Sequence, residues 1–407
     1  GSHHRRAAAV AGRRTAGRAQ ARPRSQVAAA EGVAAAAALQ SGAAVTSIVA
    51  MMAAELASAH AQERGCAHLL GCAKTAQADV AASGGLAAIA NAMASHPETA
   101  AVQLAGARAL EGACNGHEAN VLELLASGVL SAVLGSLEAS PSDAAFQEVG
   151  CRLIRNAAAC NPKCQAKVAQ LGGIRAALRA LSSDLAAVDS GLRALRELAA
   201  YNASNQEEIV SRSGIQIVLR AMERHPESQS IQILACGVLR NLTATSAEHQ
   251  DAVLSRGGVQ AVMTAMEGHP DSAEVQQAGC WAMFCLCVHN PEIHAVLAGS
   301  GVVKLALVAM ERHRSEAKLQ EAGLWLIKEL AKELVVTSTP LAMGSMQALL
   351  KAMDKHTFVS AVQTAADGAL RALTTHDRTG WVKTACLGRV GRLGRSATRT
   401  ALAVISE

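Results

Sequence analysis

One interval governs the whole chain. An apolar residue that closes a short apolar run returns at Met52, Met93, Leu137, Leu181, Met222, Met266, Met310 and Met353, with separations of 41, 44, 44, 41, 44, 44 and 43 residues. Three residues after these anchors, from Met93 on, stand His96, Ser140, Asp184, His225, His269, His313 and His356. A second series lies upstream of each anchor, at Ser83-Gly84-Gly85, Ser127-Gly128, Gly172-Gly173, Ser213-Gly214, Gly257-Gly258, Ser300-Gly301 and, more weakly, Gly344-Ser345. Two series locked in phase over so many cycles define one structural unit, used again and again. A period of this length means a stack in which each unit buries its apolar face only against its neighbours.

Residues 248–290 show one unit whole. In its last and longest run, Val275, Ala278, Gly279, Ala282, Met283 and Leu286 recur at steps of three and four, the helical period. Val102, Ala105, Gly106, Ala109, Leu110 and Ala113 repeat the pattern. The glycines separate a first short helix from a second, and His-Pro ends the second, because proline cannot continue a helix and a histidine complements its C-terminal dipole. Ser272 and Ser228 fall where the third helix needs an N-cap. Each unit therefore reads as three helices, none of them stable alone. Half of the residues are apolar but only 2% are aromatic, which suits thin layers of close helices better than a thick core. Gly106, Gly150, Gly191, Gly279 and Gly323 share one position inside the third helix. A mid-helix glycine costs up to about 1 kcal/mol against alanine, so the expectation is that the backbone of a neighbour presses on it.

The stack spans residues 27–377. Residues 1–26 read as a disordered basic tail, with GSHH resembling a purification scar; an Arg-rich, acid-free start also suits a transit peptide or a nucleic-acid arm. Residues 378–407 read as a basic cap or tail. Residues 1–30 carry seven Arg and no acid, and 378–407 carry a net +5, so the chain's net +5 leaves −7 for the body. No membrane span is expected, since the Ala-rich stretch at 33–59 is interrupted by Gly42 and Glu55 and reads as a helix pair. Eleven thinly spread cysteines do not form a disulfide framework and point to a reducing compartment, cytoplasmic or nuclear.

The third-run residues Val275-Gln276-Gln277-Ala278-Gly279-Cys280-Trp281-Ala282-Met283 resemble the armadillo repeat, as do Leu319-Gln320 through Trp325 and Ile231-Gln232 through Asn241-Leu242. HEAT repeats are the neighbouring family; the period, the glycine turn and the V-Q third helix favour armadillo. The resemblance implies an all-α fold, a right-handed α-solenoid of about eight three-helix armadillo repeats, whose third helices line a concave groove. In importin-alpha-like members a Trp and an Asn on each third helix hold an extended peptide. Here the Trp-equivalent positions are Ala67, Arg108, Arg152, Arg193, Gly237, Trp281, Trp325 and Gly368, and the Asn-equivalent ones Gly71, Gly112, Asn156, Glu197, Asn241, Cys285, Glu329 and Ala372. No unit has both, so an importin-alpha-like role is not expected. The candidate partner-binding residues are Arg108, Arg152, Asn156, Arg193, Asn241, Trp281 and Trp325. The arginines suit an acidic partner stretch facing the N-terminal half of the groove, and the tryptophans an apolar anchor. The plainer reading leaves them as solvated side chains covering small-residue surface.

Nothing points to catalysis. The chain has no phosphate-binding glycine loop, no H-E-x-x-H, no G-x-S-x-G and no dinucleotide fingerprint. Cys280, Cys285, Cys287 and His289 are close in sequence, but Cys285 and Cys287 point about 200° apart on a helix. Cys66, Cys151, Cys236 and Cys280 share one repeat position and read as core. Cys160 and Cys164, read as lying in one interhelical loop, are a weak redox pair. No metal, cofactor or small-molecule substrate is expected. The function implied is a non-catalytic protein-interaction scaffold or adaptor. The alternatives are a nucleic-acid-associated protein using its basic ends, or the regulatory solenoid of a larger enzyme. The acidic body and scarce aromatics argue against nucleic acid.

Overall fold

The computed structural model describes residues 42–337 and 339–376. The start of the stack at 27–41 and both basic ends lie outside the described residues. Among the described residues every element is a helix, and the helices form an α-solenoid. Repeat 6 shows the unit: a first helix Ala247–Ser255, a second Gly258–Gly268 and a third Ala273–Cys287. The third helices stack side by side: Ala59–Ala73, Ala100–Cys114, Ala144–Ala158, Leu185–Ala199, Gln229–Thr243, Ala273–Cys287, Ala317–Thr337 and Ser360–His376, from repeat 1 to repeat 8.

The turn between first and second helix needs one left-handed residue. Gly257 supplies it at φ 80°, and Gly84, Gly128, Gly172 and Gly301 do the same in other repeats. In repeat 5 the position is Ser213, held at φ 61° despite its Cβ. The second glycine of the pair has a different task. A Cβ on Gly258 would lie 2.9 Å from the Val253 carbonyl oxygen of the first helix, so it permits a close crossing.

The V-Q glutamine explains why the anchor and the histidine keep step. The last carbonyls of the second helix have no helical partner. Gln276 Nε2 donates to both Met266 O at 2.7 Å and His269 O at 2.9 Å. Gln62, Gln103, Gln147, Gln232, Gln320 and Gln363 also donate to the anchor carbonyl ten residues back. Ser272 and Ser228 accept from the amides of Val275 and Ile231, the N-caps expected.

The histidines do more than complement a dipole. His269 Nε2 bonds Pro226 O at 2.7 Å and His313 Nε2 bonds Pro270 O at 2.9 Å, each in the loop one repeat back. His96 and His356 reach Leu56 O and Arg314 O in the same way. They are latches between repeats. The second helix of repeat 4, Gly173–Ala180, has eight residues where those of repeats 5 and 6 have eleven, and the latch between repeats 4 and 5 changes: Arg224 reaches Leu181 O and Ser183 O, while the buried Nε2 of His225 has no partner among the described residues. Burial and the neighbouring Arg224 charge push the His225 imidazole below its ordinary pKa.

Two expectations are corrected. The mid-helix glycines face a side chain of their own repeat. A Cβ on Gly279 would lie 2.5 Å from Met266 Sδ, and one on Gly323 equally close to Met310 Sδ. Gly106 meets Met93 and Gly150 meets Leu137, so the anchor fills the space that a Cβ would take. Only Gly191 also meets a carbonyl, Ala177 O at 2.9 Å. The second correction is Gly344-Ser345, which makes no turn. A single helix, Thr339–Lys355, runs through it after an unusually long third helix in repeat 7. With helical φ available there, nothing stops the chain from continuing.

Candidate partner-binding groove

Each third helix buries the face that carries its small and apolar residues. Gly279, Cys280, Met283 and Leu286 are buried in repeat 6, while Trp281 and Phe284 are only half-buried. What remains open on successive third helices is one face with three rows of side chains.

The first row is the Trp-equivalent one. Arg108 is exposed, and no acidic side chain among the described residues is paired with it. Arg152 is different. Its Nη2 lies 2.9 Å from Glu111 Oε2 of the preceding repeat, and its Nη1 lies 3.4 Å from Glu148 Oε1. Burial opposes the Arg152 charge, but the hydrogen bonds and charges of Glu111 and Glu148 outweigh it and raise the pKa. Arg193 Nε bonds Asp189 Oδ2 at 2.5 Å, and its Nη2 donates to Ser230 Oγ at 3.3 Å. Two of the three arginines thus enter the groove with their charge matched.

The Asn-equivalent row is also occupied. Asn156 is 8% exposed, and its Nδ2 donates to Glu111 Oε1 at 3.3 Å. Its Oδ1 accepts from Arg155 Nη2 at 2.9 Å. Asn241 Nδ2 donates to Arg196 O at 3.0 Å, and its Oδ1 accepts from Arg240. Both amides tie one third helix to the one before it.

A third row, three residues beyond the Trp positions, is absent from the expectation. It reads Glu111, Arg155, Arg196, Arg240, Phe284 and Lys328 on consecutive repeats. Arg155, Arg196 and Arg240 are half-buried along the groove. Arg155 and Arg240 spend hydrogen bonds on the neutral Asn156 and Asn241, and among the described residues Arg196 alone of the three meets an acid, Glu197 at 3.3 Å. The Arg196 stem lies over Gly237, where a Cβ would be 3.1 Å from its Cδ, so the missing tryptophan of repeat 5 makes room for it. The signal was available in the sequence, since these residues recur in phase with the repeat.

Trp281 and Trp325 are brought together by Phe284, a residue outside the sequence-based candidates. Phe284 packs edge-on against Trp281, with centroids 5.6 Å apart at 78°, and stands 6.0 Å from Trp325. Lys328 Nζ caps the Trp325 ring at 4.4 Å. Three of the chain's seven aromatic residues form this one patch.

The thiols stand apart from the groove chemistry. Burial pushes Cys66, Cys151, Cys236 and Cys280 up to about 12. Cys164 is buried in the first turn of the helix Pro162–Gln170, not in a loop, because Asn161 caps that helix and Pro162 opens it. Cys160 remains in the turn before it, pushed up to about 11 chiefly by burial. Among the described residues no three His, Cys, Asp or Glu side chains gather as a metal would require. No single helix among them is long and apolar enough to cross a membrane.

The model of the LRRK2 ARM repeat matches residues 255–385. No curated protein sequence matches the chain. Among solved structures, an engineered protein from a structural genomics consortium superposes with a TM-score of 0.74 at 17% identity, covering 89% of this chain and 88% of its own. A chain from the structure describing a conserved phosphorylation switch in the interaction between cadherin and beta-catenin gives 0.67 at 17% identity, over 89% of this chain and 75% of its own. Computationally designed armadillo repeat proteins for modular peptide recognition give 0.51 at 16% identity, over 59% of this chain and 99% of theirs.

Proposed function

We propose that this chain, an armadillo-repeat α-solenoid, is a non-catalytic scaffold that binds an extended, acidic segment of a partner protein along its concave groove. The observation that carries the reading is the row Arg155, Arg196 and Arg240 on three successive third helices, with at most one acid among the described residues matched to it. The aromatic patch of Trp281, Phe284 and Trp325 at the C-terminal side takes an apolar side chain of the same segment. Arg108 extends the basic stretch toward the N-terminal end, whereas Arg152, Arg193, Asn156 and Asn241 hold the groove in shape. Relatives of this fold support the reading, since the designed armadillo proteins were built for peptide recognition and the cadherin–beta-catenin structure concerns a protein partner. The free thiols of the described cysteines suit a reducing compartment, cytoplasmic or nuclear.

Half-exposed ion pairs contribute at most about 1 kcal/mol each. Changing Arg155, Arg196 and Arg240 together to Ala should therefore weaken binding of an acidic peptide by about 30- to 100-fold. Reversing all three to Glu should abolish it. The measurement is fluorescence polarisation of a labelled Asp/Glu-rich 12-residue peptide pool, with a basic pool as control and circular dichroism to show that the variant stays folded. Equal affinity of the wild-type chain for acidic and basic pools, or undiminished binding by the Glu variant, overturns the proposal.

A further inference from the structure

A cleft of about 470 Å³ opens on the groove face where the third helices of repeats 1, 2 and 3 meet. Lys74, Arg108 and Arg152 stand around it, with Gln77, Glu111 and Gly112. The sequence makes the space. Gly112 occupies the position at which repeats 3 and 5 carry Asn156 and Asn241, so no amide fills the gap. The space is also bounded, since a Cβ on Gly112 would lie 2.8 Å from Leu70 Cδ1.

The electrostatics favour an anion of more than one charge. Two helices end at this cleft, and helix C-termini carry partial negative charge. Gln77 Nε2 covers part of it, donating to Gly112 O at 2.8 Å and Asn115 O at 2.9 Å. Lys74 is the C-cap residue of the third helix of repeat 1 and offsets the rest. Lys74 and Arg108 are exposed, and neither is paired with an acid among the described residues. Arg152 is oriented by Glu111, its carboxylate 11% exposed, and also by Glu148 from outside the cleft. Three cations against Glu111 leave two formal positive charges in the lining, that of Lys74 in part offset by the helix C-terminus it caps. A carboxylate matches one of them. A phosphate monoester carries about −1.5 to −2 at neutral pH and has three acceptor oxygens, enough for the Arg108 fork and the Lys74 ammonium together.

We propose that this cleft seats a phosphorylated serine or threonine side chain of the partner segment. Arg108 and Lys74 bind the phosphate, and Arg152 is held beside them by Glu111. The proposal rests on the groove reading above and deepens it: the partner is an acidic segment whose affinity is raised by phosphorylation.

The test uses the full chain and three labelled 12-residue acidic peptide pools that differ only at a fixed central residue: phosphoserine, glutamate or serine. The phosphoserine pool should bind at least tenfold more tightly than the glutamate pool. In Lys74→Ala/Arg108→Ala that advantage should fall below twofold, with the helical circular dichroism of the wild type retained. Arg155→Ala/Arg196→Ala/Arg240→Ala should weaken all three pools in parallel and keep the advantage. A second arm titrates O-phosphoserine and, separately, inorganic phosphate, read by ³¹P line broadening in the wild-type and double variant. Equal affinity for the phosphoserine and glutamate pools overturns the phosphate site, as does an advantage that survives Lys74→Ala/Arg108→Ala. Inorganic phosphate binding as tightly as the phosphoserine pool also overturns it, by making the cleft a free-anion site. If no pool binds but O-phosphoserine broadens in a Lys74- and Arg108-dependent way, the extended-segment reading fails and the phosphate site stands.

Discussion

The contact between Gly279 and Met266 sets a size limit that a substitution series can read. A Cβ at residue 279 would lie 2.5 Å from Met266 Sδ, 2.6 Å from its Cγ and 3.5 Å from Val262 Cγ1. Met266 is 1% exposed, so it cannot escape to solvent. Its thioether is flexible, and repeats 5 and 8 place Ala235 and Ala366 opposite Met222 and Met353 at the same position, both alanines fully buried. Gly279→Ala therefore meets a side chain that can turn aside, at an overpacking cost of about 1–3 kcal/mol. The gain in helix propensity of about 1 kcal/mol offsets part of that, leaving a net loss of roughly 0–2 kcal/mol. Gly279→Leu adds three more carbons to the same layer and should cost about 3 kcal/mol or more. Met266→Ala alone should cost about 2–5 kcal/mol by leaving a cavity. Combined with Gly279→Leu, which fills that cavity, the pair should be less destabilising than the sum of its parts by about 2 kcal/mol. Urea denaturation followed by circular dichroism measures all four corners of the cycle. Additivity within about 0.5 kcal/mol, or a Leu variant as stable as the wild type, would refute the side-chain contact.

The other expectations follow from single positions. Ser213→Gly removes a Cβ from a residue held at φ 61° and should raise stability by about 1 kcal/mol, seen as a higher urea midpoint; a lower midpoint would mean that the serine side chain stabilises the turn. The buried thiols give a pH dependence at the alkaline end. Burial raises Cys151, Cys236 and Cys280 to about 12 from 9.0, so folding favours the neutral thiol; the stability they contribute is intact below pH 9 and is lost as pH rises toward 12. Each thiol accounts for about 1.4 kcal/mol per pH unit above 9, so the urea midpoint should fall between pH 9 and 11, and Cys280→Ala should make that fall shallower. A midpoint equally steep in the variant would dissociate the thiol from the effect.

Much of the architecture was legible because the repeat compares the chain with itself. A cysteine or histidine that returns at the same position of the repeat is doing the same structural task each time, so the core role of Cys280 could be read without coordinates. The latch formed by His269 could not, because Pro226 O lies one repeat away and periodicity carries no information about what faces a side chain. The Gly344-Ser345 turn was misplaced for a related reason: a glycine permits a left-handed residue but does not require one.

The groove divides along the same line. The residue types at each third-helix position, and hence the broken Trp–Asn ladder and the move from arginine to tryptophan, were determined by the sequence alone. Which of those side chains remain open to a partner was decided by the tertiary structure. Arg152 and Arg193 are open cations in the sequence, and the structure pairs them with Glu111, Glu148 and Asp189. Arg155, Arg196 and Arg240 look like ordinary helix surface until stacking aligns them along one row. The physical reason is that a charge is defined by its surroundings. Helical periodicity already sets Asp189 beside Arg193 and Glu148 beside Arg152, four residues apart on one helix, but only the packing of one repeat on the next brings Glu111 within 3 Å of Arg152.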